Sequence, residues 1–209
     1  MEFEIFVQQL KLRLKRPLSG EGAQRKMAPF HNDSRFNHKL RESARKGSVL
    51  ILLFPNAGEI HFPLIQRPQY DGVHSGQMAL PGGKFEAEDK NIFETALRET
   101  DEEIGVNPGK ITVIGALSDL YIPVSNFLIS PVIGYSTQKL KFIPDRIEVV
   151  EVVETSIEQL IDSTNVLEKT IHVQQQVKIR APYFNLSNRT VWGATAMILS
   201  EFIETIKDL

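Results

Sequence analysis

The 209-residue chain contains no cysteine. Disulfides, thiol nucleophiles and zinc–thiolate sites are therefore excluded. The absence also fits a reducing compartment, so a cytoplasmic protein is the expectation. An excess of either charge is missing too. The formal net charge of −2 provides no broad basic surface for a nucleic-acid backbone, and no nucleic-acid partner is expected. Long apolar runs are absent: none approaches the roughly 20 residues that span a bilayer. The opening residues place Glu2 and Glu4 where a signal peptide wants positive charge.

What is present suits a globular protein. A hydrophobic content of 42% and this length fit one large domain, or one domain with an added segment. Phe3, Phe6, Val7, Leu10 and Leu14 recur at helical spacing, which predicts an amphipathic helix docked on the rest of the chain. Its Lys11, Arg13, Lys15 and Arg16 read as a solvated face, and no membrane partner is expected. Residues 17–47 are rich in turn formers and charge, and predict an irregular arm with one short helix.

Regular structure is expected to begin at Ser48–Phe54, a continuous apolar run that suits a strand buried on both faces. Pro55 to Gly58 reads as a turn and His61–Gln66 as the returning strand. Further strands are predicted at Gln77–Leu80, Ile111–Leu117, Phe127–Tyr135, Val149–Val153 and Thr170–Ile179. Helices are predicted at Asn91–Ile104, Ser156–Ser163 and Trp192–Ile206, with Trp192 in the core. The elements lack regular βαβ alternation, so the expected class is α+β, a layered α/β/α mixed sheet. The expected division is a helix and arm over 1–44 packing on a domain over 45–209.

The densest chemistry lies in PGGKFEAEDKNIFETALRETDEEIGV, residues 81–106. Asn91 and Glu94 form an N-x-x-E start to a helix. Ile92, Phe93, Ala96, Leu97, Thr100 and Ile104 make its apolar stripe, and Gly105 its left-handed end. Glu99, Glu102 and Glu103 stand at i, i+3 and i+4, so their carboxylates are expected on one patch. Like charges so spaced cost roughly 0.2–0.5 kcal/mol per pair, and the C-terminal end of the helix dipole also disfavours them. Nothing nearby in sequence offsets this, whereas a hard divalent cation would. Arg98 is expected to pair with Glu94 or to orient one of these acids. A solvated acidic face is the ordinary alternative, but Pro81-Gly82-Gly83 leads into this helix, and its backbone can approach a ligand closely.

This stretch resembles the Nudix box, G-x5-E-x7-R-E-U-x-E-E-x-G-U with U aliphatic. Arg98-Glu99-Thr100-Asp101-Glu102-Glu103-Ile104-Gly105-Val106 matches its second half, with Thr100 in place of an aliphatic residue. Counting from Gly83, the first acid falls on Asp89, and the gap to Arg98 is one residue longer than the pattern. That departure resembles the coenzyme A pyrophosphatase branch. So do Leu64-Ile65-Gln66-Arg67-Pro68, His74-Ser75-Gly76-Gln77 running into Pro81-Gly82-Gly83, Tyr121-Ile122-Pro123-Val124-Ser125, Pro182-Tyr183-Phe184 and Trp192-Gly193-Ala194-Thr195-Ala196.

The resemblance spans about residues 45–206 and implies a Nudix fold over 45–209. It implies metal-dependent cleavage of coenzyme A or its thioesters to 3′,5′-ADP and 4′-phosphopantetheine. By matching position, Glu99, Glu102 and Glu103 would hold Mg2+ or Mn2+ with the Gly82 carbonyl, and Arg98 would orient the glutamates. Arg67, His74, Gln77 and Arg45 are candidate substrate contacts, with Lys46 near them in sequence, and Glu148 is a candidate general base. His31, His38, His61 and His172 have no partner pattern. The same chemistry on ADP-ribose, a dinucleotide or a nucleoside triphosphate stays open. A non-catalytic nucleotide sensor is disfavoured by the intact glutamates. The partner is a small nucleotide-type molecule, and a homodimer is compatible with everything read so far.

Overall fold

A computed structural model describes residues 2–29, 41–173 and 177–209; His31 and His38 lie outside them. Its centre is β1 (Arg45–Asn56), whose residues Leu50 to Phe54 are fully buried. The reason is visible in how they alternate. Ile51 and Leu53 point into one core with the C-terminal helix, while Leu50, Leu52 and Phe54 point into a second core beneath the acidic helix. A strand covered on both faces cannot alternate apolar with polar, so an unbroken apolar run is what its position requires.

β1 turns at Ala57-Gly58, both at positive φ, into antiparallel β2 (Glu59–Gln66). The strand thus includes Pro55 and Asn56, which the sequence reading gave to the turn. β3 (Met78–Ala79) is shorter than expected and pairs with β2, while β4 (Gly82–Lys84) pairs with the start of β1. The acidic helix, here α3 (Ile92–Ile104), follows; α1 (Phe3–Arg13) and α2 (Gly20–Gln24) precede β1. Then come β5 (Thr112–Ala116), the unforeseen β6 (Leu120–Ile122) and β7 (Phe127–Tyr135). β7 runs parallel to β1 over nine pairs, beginning at Arg45 opposite Phe127, and pairs antiparallel with β5 and β6.

β8 (Glu151–Ser156) lies along β2, shifted from the expected Val149–Val153, and ends at Ser156, whose hydroxyl caps α4 (Ile157–Ile161). The largest correction concerns Thr170–Ile179. It is not one strand but parts of two, β9 (Val166–Val173) and β10 (Val177–Leu186), paired antiparallel. Residues 174–176 of that predicted strand lie outside the described residues; in sequence they are three glutamines, with no glycine, proline, asparagine or aspartate to interrupt the run of strand formers. β10 turns again at Ser187-Asn188, both at positive φ, into β11 (Arg189–Trp192). α5 is Gly193–Ile206; Trp192 ends the strand before it and is half-buried rather than core. α1 buries Phe6, Val7 and Leu10 in the same core as α5. α2 is also tied to α5, through Gln24 on Glu201 and Ala23 on Ser200. No described helix is long and apolar enough to cross a membrane.

Candidate active site

The end of the sheet where β4 crosses β1 fixes the acids. Gly47 pairs with Lys84 and Val49 with Gly82. Backbone leaves no room for side chains at two positions, since a Cβ on Gly47 would lie 2.6 Å from the Gly83 carbonyl oxygen and one on Gly82 would strike the Ser48 carbonyl, while one on Gly83 would displace the Glu99 carboxylate. Gly82 also has φ +148°, which side-chain-bearing residues rarely adopt. The Gly-Gly pair therefore brings a strand into van der Waals contact with the face of α3 that carries Glu99.

Asn91 caps α3 as expected, its Oδ1 accepting from the Phe93 and Glu94 N–H groups, and Gly105 closes it at φ 68°. The buried stripe differs from the expected one. Thr95, Ala96, Thr100, Glu103 and Ile104 are buried, whereas Phe93 is 38% exposed. Glu103 thus lies on the buried side of the helix. Its Oε2 accepts the Gly82 N–H at 2.8 Å. Burial pushes its carboxyl up to about 8, against that bond and against the nearby Arg67. Glu99 is also raised by burial, with Arg98 opposing. Glu102 projects outward, its side chain 56% exposed.

Arg98 is the hub. It does not pair with Glu94, which binds Lys90 instead. Its Nε and Nη2 donate to both oxygens of Asp89 at 3.0 Å, and Nη2 also reaches the Lys84 carbonyl at 3.0 Å. Its Nη1 bridges Glu99 at 3.0 Å and Glu102 at 2.8 Å. Local offset of the acid repulsion therefore exists after all. Asp89 is buried and accepts in addition from Thr95 Oγ1 and the Glu86 N–H. The guanidinium holds the Asp89 carboxyl down to about 2, and Asp89 in turn raises Arg98. The role of Thr95 was not legible in the sequence, since no pattern marks a buried hydroxyl one helical turn before Arg98.

Three loops surround this helix end. Arg67 opens the first. Its Nε is buried without a hydrogen-bond partner among the described residues, and its charge acts on both Glu103 and His74. His74 has φ 68°; its Nδ1 lies 3.2 Å from Gln77 Oε1 and its Nε2 3.4 Å from Ser125 Oγ in the second loop. Burial lowers the His74 pKa, with the Gln77 bond opposing and Arg67 adding to the fall. Arg45 donates Nη2 to the Ser125 carbonyl at 2.7 Å and stacks on Phe127 at 4.3 Å. The third loop carries Glu148, exposed, whose charge acts on Glu99 and Glu103. It is stitched to α3 by Asp145 N–H to the Glu103 carbonyl and Ile143 N–H to the Ile104 carbonyl. Lys46, also exposed, gives its carbonyl to the Phe85 N–H.

Glu99 and Glu102 share Arg98 Nη1, and Glu103 lies close enough for the Glu99 charge to act on it. Among the described residues, no three acidic or histidine side chains are arranged to hold a metal ion as they stand. The donors account for this: Arg98 engages Glu99 and Glu102, and Gly82 engages Glu103. The set still fits a hard divalent cation in kind, being all carboxylate oxygen beside a backbone stripped of side chains.

A mixed sheet between helices carries an arginine-braced set of glutamates at a Gly-Gly strand end, a donor set suited to a hard divalent cation and phosphoryl chemistry. Comparison with known proteins makes the assignment specific. Residues 44–165 match the NUDIX domain. A Pectobacterium atrosepticum protein named as the uncharacterized Nudix hydrolase NudL is 35% identical over 135 residues, covering 65% of this chain and 69% of its own. The mitochondrial Nudix hydrolase 15 of Arabidopsis thaliana is 33% identical over 190 residues, 87% of this chain; the match spans 64% of that relative's length. A solved MutT/nudix family protein from Enterococcus faecalis shares the fold at TM-score 0.51 and 18% identity, over 79% of this chain and 63% of its own. The chain belongs to the Nudix hydrolase family and is a pyrophosphohydrolase. Enzymes of this family generally use divalent ions such as Mg2+ or Mn2+ and act on small nucleotide-type substrates.

Proposed function

We propose that this enzyme hydrolyses the diphosphate bond of coenzyme A or a derivative, releasing 3′,5′-ADP and 4′-phosphopantetheine. What supports the substrate choice is one juxtaposition. The two segments that resemble the coenzyme A branch, His74 to Gln77 and Tyr121 to Ser125, meet at His74 and Ser125 beside Arg67 and Arg45.

Glu99, Glu102 and Glu103, with the Gly82 carbonyl, are the groups that would hold Mg2+ or Mn2+. When bound, such an ion polarises phosphoryl oxygens and neutralises charge on the leaving phosphate. The chain's own residues do the rest. Asp89 fixes Arg98, and Arg98 Nη1 holds Glu99 and Glu102 together on one nitrogen. The buried Nε–H of Arg67 needs an acceptor, and a phosphoryl oxygen of the substrate is a charge-assisted one. Glu148, across from Glu99 and Glu103, takes the proton of the attacking water. The new P–O bond forms as the bridging P–O bond breaks, and the electron pair leaves on the departing phosphate.

The 3′-phosphate of coenzyme A requires charge-assisted donors, for which Arg45 and Lys46 are the exposed candidates. Losing one such bond costs roughly 1.5–3 kcal/mol, or about 10- to 150-fold in kcat/KM. Measured side by side at equal metal, coenzyme A should exceed dephospho-coenzyme A at least tenfold, with ADP-ribose lower again. An equal or higher kcat/KM for ADP-ribose would remove the coenzyme A assignment and leave the family assignment standing.

A further inference from the structure

The loop from Arg67 to Gln77 is closed on itself. The Arg67 N–H donates to the Gln77 carbonyl at 3.0 Å, and the Gly76 N–H to the Pro68 carbonyl at 3.0 Å. The Tyr70 N–H donates to Ser75 Oγ at 2.9 Å, and the Tyr70 hydroxyl to the Val73 carbonyl at 2.8 Å. Among the described residues, the side-chain hydrogen bond that leaves this loop is the one between His74 and Ser125. Compact loops of this kind move as units unless something outside pins them.

The chemistry of that pin is directional. Gln77 Oε1 has no proton, so the hydrogen in the 3.2 Å contact is on His74 Nδ1. A neutral ring then has its lone pair on Nε2, which accepts the Ser125 hydroxyl proton at 3.4 Å. Both ring nitrogens are thereby engaged inside the protein. His74 holds the left-handed φ of 68°, uncommon for a residue with a side chain, and such outliers persist where surrounding contacts over-determine them. Ser125 is itself anchored, its carbonyl accepting the Arg45 guanidinium at 2.7 Å.

We propose that Ser125 and His74 are positioning residues, a latch that fastens the Arg67–Gln77 loop to the 122–126 turn and sets Arg67 and the Gln77 amide against the substrate. In this arrangement His74 acts through Gln77 and touches neither the reacting phosphorus nor the attacking water. The inference rests on pyrophosphohydrolase activity and on the proposed reading of Arg67 and Gln77 as substrate contacts, not on which diphosphate is cleaved.

The test uses the full-length protein and has two arms. In metal-free wild type, nitrogen-15 NMR of the imidazole should show His74 protonated at Nδ1 and not at Nε2. In Ser125→Ala the Nε2 resonance should shift toward that of an unbonded ring. In turnover assays, with whichever diphosphate the substrate comparison selects, Ser125→Ala should raise KM by roughly two- to tenfold. Its kcat and melting temperature should be nearly unchanged, and Ser125→Thr, which keeps the hydroxyl, should restore KM. A wild-type ring protonated at Nε2, or a Ser125→Ala enzyme with wild-type KM, overturns the latch. The NMR arm reads this without any substrate, so failure of the coenzyme A reading cannot be mistaken for failure of the latch.

Discussion

Glu103 and Glu201 are both glutamates buried on helices, 3% and 0% exposed, and their helices cover opposite faces of the central sheet. Glu201 on α5 is met by three uncharged donors: the Gly20 N–H at 3.0 Å, Gln24 Nε2 at 2.9 Å and the Ser118 N–H at 3.3 Å. Glu103 on α3 is met by one, the Gly82 N–H, while the charges of Glu99 and Glu148 bear on it unfavourably. A buried carboxylate is costly unless its oxygens are satisfied. The chain satisfies Glu201 with two backbone N–H groups and the Gln24 amide, and that carboxylate ties the N-terminal arm and the β5–β6 connection to α5. It gives Glu103 one hydrogen bond and the charge of Arg67, against burial and the charges of Glu99 and Glu148. On the proposed function, the two acids separate structural burial from functional burial on the same sheet.

The comparison is broken most directly at Glu103. Glu103→Gln keeps an acceptor for Gly82 but removes the charge. If the carboxylate holds a metal, several kcal/mol of transition-state stabilisation go with it, roughly a hundredfold or more in kcat. Wild-type enzyme in excess chelator should fall at least as far and recover with Mg2+ or Mn2+. The melting temperature of Glu103→Gln in metal-free buffer should hold or rise, because burial cost and repulsion are both relieved. Full turnover in chelator, or near-normal kcat in the variant, would show that Glu103 is no more functional than Glu201.

Glu201 should behave in the opposite way. Glu201→Ala leaves the Gly20 and Ser118 N–H groups without their acceptor and opens a cavity, together about 3 kcal/mol. For a chain of this size that lowers Tm by roughly 6–12 °C, while kcat of the folded enzyme stays near wild type. A thermal scan and an active-site-normalised assay on the same preparation read both quantities. A large loss of kcat with Tm unchanged would erase the distinction.

Neither acid's depth could be read in advance for the same reason, but their patterns differed in legibility. The acidic helix, its cap at Asn91 and its end at Gly105 follow from local chemistry, and the apolar run of β1 from burial on two faces. Glu99, Glu102 and Glu103 were conspicuous because like charges at helical spacing are unfavourable alone. Burial of Glu103 depends on β4 packing under α3, a contact set by two glycines far from it in sequence, and no periodicity reports it. Nothing in the sequence distinguishes Glu201 from a surface acid of an apolar helix, since its donors come from residues 20, 24 and 118. The division between β9 and β10 is not legible because the sequence from Val166 to Leu186 has none of the usual turn-marking residues near residue 175.

Asp89 sharpens the comparison from a third side, being buried like Glu201 yet wired to the active site like Glu103. Its oxygens are satisfied by Arg98, Thr95 and the Glu86 N–H, and Arg98 holds its carboxyl at about 2, below the ordinary 3.8. A depressed folded-state value means the ionised form is favoured by folding. The stabilisation is therefore fully present above pH 3.8 and is lost as pH falls toward 2. Allowing for solvent around the partly exposed Arg98, it amounts to about 1–2 kcal/mol. Asp89→Asn cannot ionise, so it should be less stable than wild type by about that much at neutral pH. Urea unfolding of both proteins through this acidic range should show the gap narrowing as Asp89 takes up its proton. A gap that stays constant through that window would mean Arg98 is held by Glu99 and Glu102 instead, and that Asp89 belongs with Glu201 as a purely structural acid.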